Sequence, residues 1–190
     1  MTHGLPNIFT ALRLLTLLAA GAAAPAHADD YGDVSQLLRN GKLVEATAKA
    51  DAYLAAKPRD PQMRFLKGVI QGKAGQQADA ISTFIRLNED YPELPEPYNN
   101  LAVIYAGQGQ LDKARAALEM AIRTKPDYAT AHENLGDIYA RLASQAFEKA
   151  LQLDRGNASV APKLNLLRAV LSNSNKEQPA FVAPASAVAR

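Results

Sequence analysis

Three ladders of one period run through the middle of this chain. Pro58, Pro92 and Pro126 stand 34 residues apart, as do Gly41, Gly75 and Gly109, and again Ala46, Ala80 and Ala114. A fixed period of about 20–50 residues means that each unit is one supersecondary piece unable to bury its apolar face alone, so successive units stack around a continuous core. The residue types fit two helices per unit. Glycine breaks the chain between them, and proline ends the second because it can neither donate the helical hydrogen bond nor fit inside the helix.

The unit from Pro95 to Tyr128 is the most complete. Tyr98, Leu101, Ala102 and Tyr105 mark a first helix, and Ala114, Leu118, Ala121 and Pro126 a second. Small residues at Ala102 and Ala121 permit close helix approach, and the larger ones fill the space between layers. This pattern resembles the tetratricopeptide repeat, W-x2-L-G-x2-Y…A-x3-F…P. The preceding unit, from Pro61 to Leu94, keeps Gly68, Gly75, Ala80, Phe84 and Pro92 but carries Lys67 and Gln71 where leucine and tyrosine belong. A one-residue shift of its apolar face onto Phe65, Leu66, Val69 and Ile70 preserves burial. Asp60-Pro61 supplies a capping carboxylate and a proline for the first helical position. The first unit is weaker: a helix near Tyr31 to Arg39, a turn at Asn40-Gly41, and a second helix from Leu43 to Ala56.

The fourth unit departs from the rule. His132, Leu135, Gly136 and Tyr139 match a first helix, and Ala143, Phe147 and Ala150 a second. Yet Tyr139 to Ala143 is four residues where Tyr105 to Ala114 is nine, so five residues are missing and the turn with them. An unbroken stripe of Leu135, Tyr139, Leu142, Ala146, Ala150 and Leu153 predicts one fused helix from about Ala129 to Asp154, with a kinked hairpin at Ala143-Ser144 as the alternative. Close helix approach is expected at Gly68, Ala102 and Gly136. Leu142, Ala146, Phe147 and Ala150 then need cover from a short helix at Pro162 to Leu171, which serves as solenoid cap or dimer contact. Of the two histidines outside this unit both lie in the N-terminal segment, and His132 is expected to pack between helices.

Met1 to Ala28 reads as an export signal. Arg13 is its only formal charge, Leu14 to Ala24 is almost wholly apolar, and Ala26-His27-Ala28 puts small residues at a cleavage point before Asp29. The apolar run is too short to cross a bilayer. An uncleaved anchor is the alternative. Without Arg13, the 21 basic side chains become 20 against 19 acidic ones, so neither a nucleic-acid footprint nor a polybasic membrane patch is present. No cysteine occurs, which removes disulfides, thiolate metal sites and thiol nucleophiles. With one histidine after the signal and no phosphate-cradling glycine motif, no metal site, cofactor or catalytic residue is expected, and the chain is expected not to be an enzyme.

The expected fold is all-α: an α-solenoid of about three and a half helix-turn-helix units spanning 29–157 (units about 29–60, 61–94, 95–128 and 129–157), with a capping helix over 158–172 and a disordered tail over 173–190. The resemblance implies more. In the tetratricopeptide family the first helices line a concave groove holding an extended peptide or partner helix, and an asparagine at the sixth position grips the ligand backbone. Asn100 and Asn134 stand there, in Y-N-N-L-A and H-E-N-L-G. Phe65, Val69, Asn99, Val103, Glu133, Asp137 and Arg141 are expected on the same surface. The basic side chains of a carboxylate clamp are lacking apart from Arg64 and Arg141, which disfavours a C-terminal carboxylate ligand. The implied role is a non-enzymatic scaffold or adaptor with a protein or peptide partner; the N-terminal signal and the lack of cysteine suit a bacterial envelope, periplasmic rather than secreted, with no nucleic acid and no stable membrane insertion after signal removal. A homodimer through the fused helix and the C-terminal helix is the alternative.

Overall fold

A computed structural model describes residues 27–174, with side-chain surroundings given for 30–172. Among the described residues there are eight helices and no strand: α1 (His27–Arg39), α2 (Leu43–Ala56), α3 (Pro61–Lys73), α4 (Gln77–Asp90), α5 (Pro95–Gly107), α6 (Leu111–Thr124), α7 (Ala129–Leu153) and α8 (Val160–Ser174). Consecutive helices pack as neighbours, and first helices also touch across units, α1 to α3, α3 to α5 and α5 to α7. The result is the expected all-α solenoid. The proposed signal up to Ala26 and the tail from Asn175 lie outside the described residues, while the tail's first two residues, Asn173 and Ser174, belong to α8.

The three turn glycines do the same work. Gly41, Gly75 and Gly109 have φ of 71°, 78° and 72°, a left-handed conformation that a side chain opposes. Each lets the next amide reach back over the helix end. Lys42 N–H donates to Leu37 O, Gln76 N–H to Gln71 O and Gln110 N–H to Tyr105 O, all at 2.9 Å. These bonds satisfy carbonyls that a helix C-terminus otherwise leaves unpaired. At the next boundary Asp60 accepts from Met63 N–H at 2.8 Å and so caps α3, with Pro61 in its first turn. α8 starts two residues before Pro162, whose missing N–H costs nothing in a first turn.

Helix phase in the second unit is as the shifted pattern predicts: Phe65, Leu66, Val69 and Ile70 are all buried, together with Met63, Phe84 and Leu87. Gly68 sits beneath the Phe84 ring. A Cβ built there would lie 2.6 Å from Phe84 Cε1, so only glycine fits. Ala102 holds the same place in the third unit and is buried. Gly136 does not: a Cβ there would meet nothing within 4 Å. The expectation of close approach fails at this position because α7 is helical throughout Ala129–Leu153, and the segment that should fold back over Gly136 runs on along the axis instead. The hairpin alternative at Ala143-Ser144 is likewise not what forms.

The solenoid's N-terminal end is tied by a small polar cluster. Tyr31 Oη–H donates to Asp60 Oδ2 at 2.5 Å and lies 2.7 Å from Tyr53 Oη, linking α1, α2 and the cap of α3. Desolvation, followed by the hydrogen bonds with Asp60 and Tyr53, pushes the Tyr31 hydroxyl well above the usual phenol range. A raised pKa means that the folded state favours the neutral phenol. That stabilisation is complete below the unfolded value of about 10 and is lost as pH rises beyond it. Thermal melts between about pH 8 and 11 should therefore fall steeply above about pH 10, and Tyr31→Phe should flatten that fall while lowering the melting temperature at pH 8. An equally steep fall in the variant would place the alkaline transition elsewhere.

Candidate functional site

The residues expected along the groove divide into two groups. Phe65, Val69, Asn99 and Asn100 are buried, the two asparagines completely. They do not present themselves to a ligand, which corrects the expectation. The reason is packing within and across units: Phe65 lies against Phe84 of its own unit, ring centroids 5.7 Å apart at 52°, and Asn99 Oδ1 accepts from Asn134 Nδ2 across the α5–α7 seam at 2.8 Å. A buried amide needs such a partner, because an unpaired one is costly. Asn134, half-buried, thus has part of its hydrogen-bonding capacity engaged within the fold.

The second group does reach the surface. Glu133 is exposed, and Val103, Asp137 and Arg141 are half-buried. Arg141 Nη2 donates to Ala106 O at 3.0 Å, pairing one of the terminal carbonyls of α5. Arg64, the other basic residue considered, is ion-paired to Asp90 at 2.6 Å. Phe65, Asn99 and Glu133 occupy one repeat position, as do Val69, Val103 and Asp137. These positions are closed in the second unit, and in the fourth Glu133 is open to solvent while Asp137 is half-buried. A first helix is shielded there by the first helix of the next unit, and α8, which should fill that place, is carried off by the fused α7. The accessible strip is therefore polar and short.

A further surface was not located residue by residue in the sequence. Tyr139 is 50% exposed although its counterpart Tyr105 packs against both core clusters. Leu153 is 77% exposed. Together with Gly136, Ala143 and Ala146 these residues recur at three and four spacing along one side of α7, with Gly136 and Ala146 exposed and Ala143 half-buried. The expected patch of Leu142, Ala146, Phe147 and Ala150 is thus misplaced in part. Leu142 packs into the core cluster of α5, α6 and α7, and Phe147 is half-buried with Lys163 of α8 over its ring at 5.8 Å. His132, expected in the packing, is exposed, its Nε2 2.9 Å from Pro126 O. The missing turn was the signal for this face, but which residues line it depends on where α8 docks.

Chemistry is sparse here. Among the described residues no group of three or more metal-ligating side chains gathers, and no helix is long and apolar enough to cross a membrane. Burial, then the nearby charge of Glu96, pushes the Tyr128 hydroxyl up to about 12 at the start of α7, which keeps it neutral rather than reactive. The cleavage point proposed between Ala28 and Asp29 falls in the first turn of α1, ahead of Val34, the first buried residue over 30–39.

Comparison with known proteins gives two matches to repeat families, one described as a tetratricopeptide repeat over residues 34–95 and one as a TPR repeat over residues 104–143. The chain is 39% identical over 84 residues to the tetratricopeptide repeat domain-containing protein PYG7 of Arabidopsis thaliana, covering 42% of this chain and 28% of that protein. It is 24% identical over 102 residues to the photosystem I assembly protein Ycf3 of Prochlorococcus marinus, covering 52% of this chain and 59% of that one. The chain therefore spans less than two thirds of these relatives. Among solved structures, a thermophilic TPR protein of Thermus thermophilus superposes with a TM-score of 0.58 at 24% identity, covering 81% of this chain and 86% of the other. The pilF protein of Pseudomonas aeruginosa gives 0.56 at 21% identity, covering 80% and 71%. With glycine-closed helical hairpins at a 34-residue period, matched family patterns and superposable solenoids, this chain belongs to the tetratricopeptide repeat family, whose domains bind protein partners.

Proposed function

We propose that the chain is a non-enzymatic scaffold or adaptor of a bacterial cell envelope, exported by residues 1–28 and released into the periplasm by cleavage before Asp29. It takes a peptide or helix of a protein partner along the strip formed by Val103, Glu133, Asp137 and Arg141. The observation that carries this reading is the fate of equivalent positions: Phe65 and Asn99 are sealed between helices, while Glu133 at the same repeat position is exposed. The exposed carboxylate of Glu133 favours a partner segment carrying a basic side chain. An assembly role is in keeping with the name of the Ycf3 relative, which is described as an assembly protein.

The test is capture in the native host. A photoreactive amino acid at Glu133 should crosslink one partner, and Glu133→Arg should weaken its binding at least tenfold, or about 1.4 kcal/mol. Because the position is exposed, the melting temperature should move by no more than about 2 °C. Undiminished capture by Glu133→Arg would move the binding surface off this strip. N-terminal sequencing of the periplasmic form tests export separately, with Asp29 as the expected first residue.

A further inference from the structure

In the second unit the second helix lays an aromatic ring over the small residue of the first: Phe84 covers Gly68, with Ala80 and Leu87 at its flanks. The third unit has Ala114, Leu118 and Ala121 at the same spacing, all buried, with leucine in place of the ring. The fourth unit carries the same element, Ala143, Phe147 and Ala150 at the same spacing of four and three. It also carries the matching first helix, with Gly136 bare. The two halves belong to one straight helix, in which Phe147 stands 11 residues, or about 16 Å, beyond Gly136. They cannot meet within one chain.

The second half of α7 is otherwise finished as a second helix of a repeat. Its cap residue Asp154 has φ −136° and ψ 93°, the same values as Lys125 at the end of α6. Both cap amides bond the carbonyl four residues back, that of Ala150 in one and Ala121 in the other. α8 then follows as α7 follows α6, with Val160 and Leu164 buried and Lys163 over Phe147. Only the turn is missing from the fourth unit, and a hinge too short to fold back is a known route to exchange of identical elements between copies.

We propose that two copies of this chain exchange the second half of α7 and α8, so that Phe147 of each copy seats over Gly136 of its partner. The two α7 helices then run antiparallel about a two-fold axis passing between residues 141 and 142, the midpoint of the Gly136–Phe147 register. Ala140 and Ala143 lie nearest that axis, and their small side chains permit close approach. The contact is self-complementary, as a two-fold interface requires. It covers Tyr139, which Tyr105 shows to be a packing position. It also completes the fourth repeat in each half of the dimer. This inference rests on the register of Gly136 and Phe147 and does not depend on partner capture at Glu133.

Sedimentation of the chain without its first 28 residues, from about 5 to 300 µM, should show a dimer. Inserting Gly-Gln-Leu-Asp-Lys, the sequence of residues 109–113, between Leu142 and Ala143 restores the nine-residue spacing and should give a folded monomer. Gly136→Leu should raise the dimer dissociation constant at least tenfold without loss of helicity, because its side chain has open space in the single chain and collides only with the partner's Phe147. The chain has no cysteine of its own. Oxidised Tyr139→Cys/Ala143→Cys should therefore form a covalent dimer, whereas Glu133→Cys/Asp137→Cys should not. A parent chain monomeric across the whole range, or a dimer indifferent to both the insertion and Gly136→Leu, overturns the exchange.

Discussion

Phe84→Ala lowers the stability of the folded chain by about 3–5 kcal/mol, the cost typical of removing a buried phenylalanine whose surroundings cannot collapse. The ring has no solvent exposure, stacks at a tilt on Phe65 and presses on Gly68, so it joins both helices of the second unit to the core. Gly68→Ala alone should cost about 1–3 kcal/mol by overpacking against that ring. In the Phe84→Ala background the same change should instead stabilise, by about 0.5–1 kcal/mol, because the clash is gone and alanine is the better helix former. Denaturant melts of the two single variants and the double variant check this. Additive effects would mean that the ring and the glycine do not touch.

Asn99→Asp should be nearly as damaging at neutral pH and far milder in acid. The substitution keeps the shape but puts a carboxylate into the sealed α5–α7 seam, with one donor, Asn134 Nδ2, to receive it. An uncompensated buried charge costs about 3–5 kcal/mol. Desolvation raises the folded-state pKa above the unfolded value of about 3.9. The acid is therefore neutral in both states at low pH, and the penalty grows as pH rises above about 4 until the folded pKa is passed. The measurement is the stability difference from the parent chain at pH 3.5 and at pH 7. An equal difference at the two values would show that the Asn99 side chain reaches water and belongs to the groove after all.

These two residues mark the boundary between local and tertiary information. Apolar spacing alone sets the helical phases, since it specifies which side of each helix is buried even where Lys67 and Gln71 break the repeat pattern. The three turns are local too, since a left-handed residue at a helix end selects glycine at Gly41, Gly75 and Gly109. So is the lack of a turn in α7, because five residues and a glycine are absent where the other units have them. All of this is chemistry within about ten residues of chain.

Exposure along the first helices depends on which helix packs beside each of them. Asn99 and Glu133 occupy the same repeat position, and the repeat register alone does not distinguish a buried from an exposed one. The difference lies in the neighbour: α7 packs beside α5 and seals Asn99, whereas α8, displaced by the continuous helix, leaves Glu133 uncovered. Gly68 and Gly136 divide in the same way, one beneath a ring and one facing open space. Periodicity states what each position is suited to meet, and the placement of a helix tens of residues away in sequence states whether anything meets it.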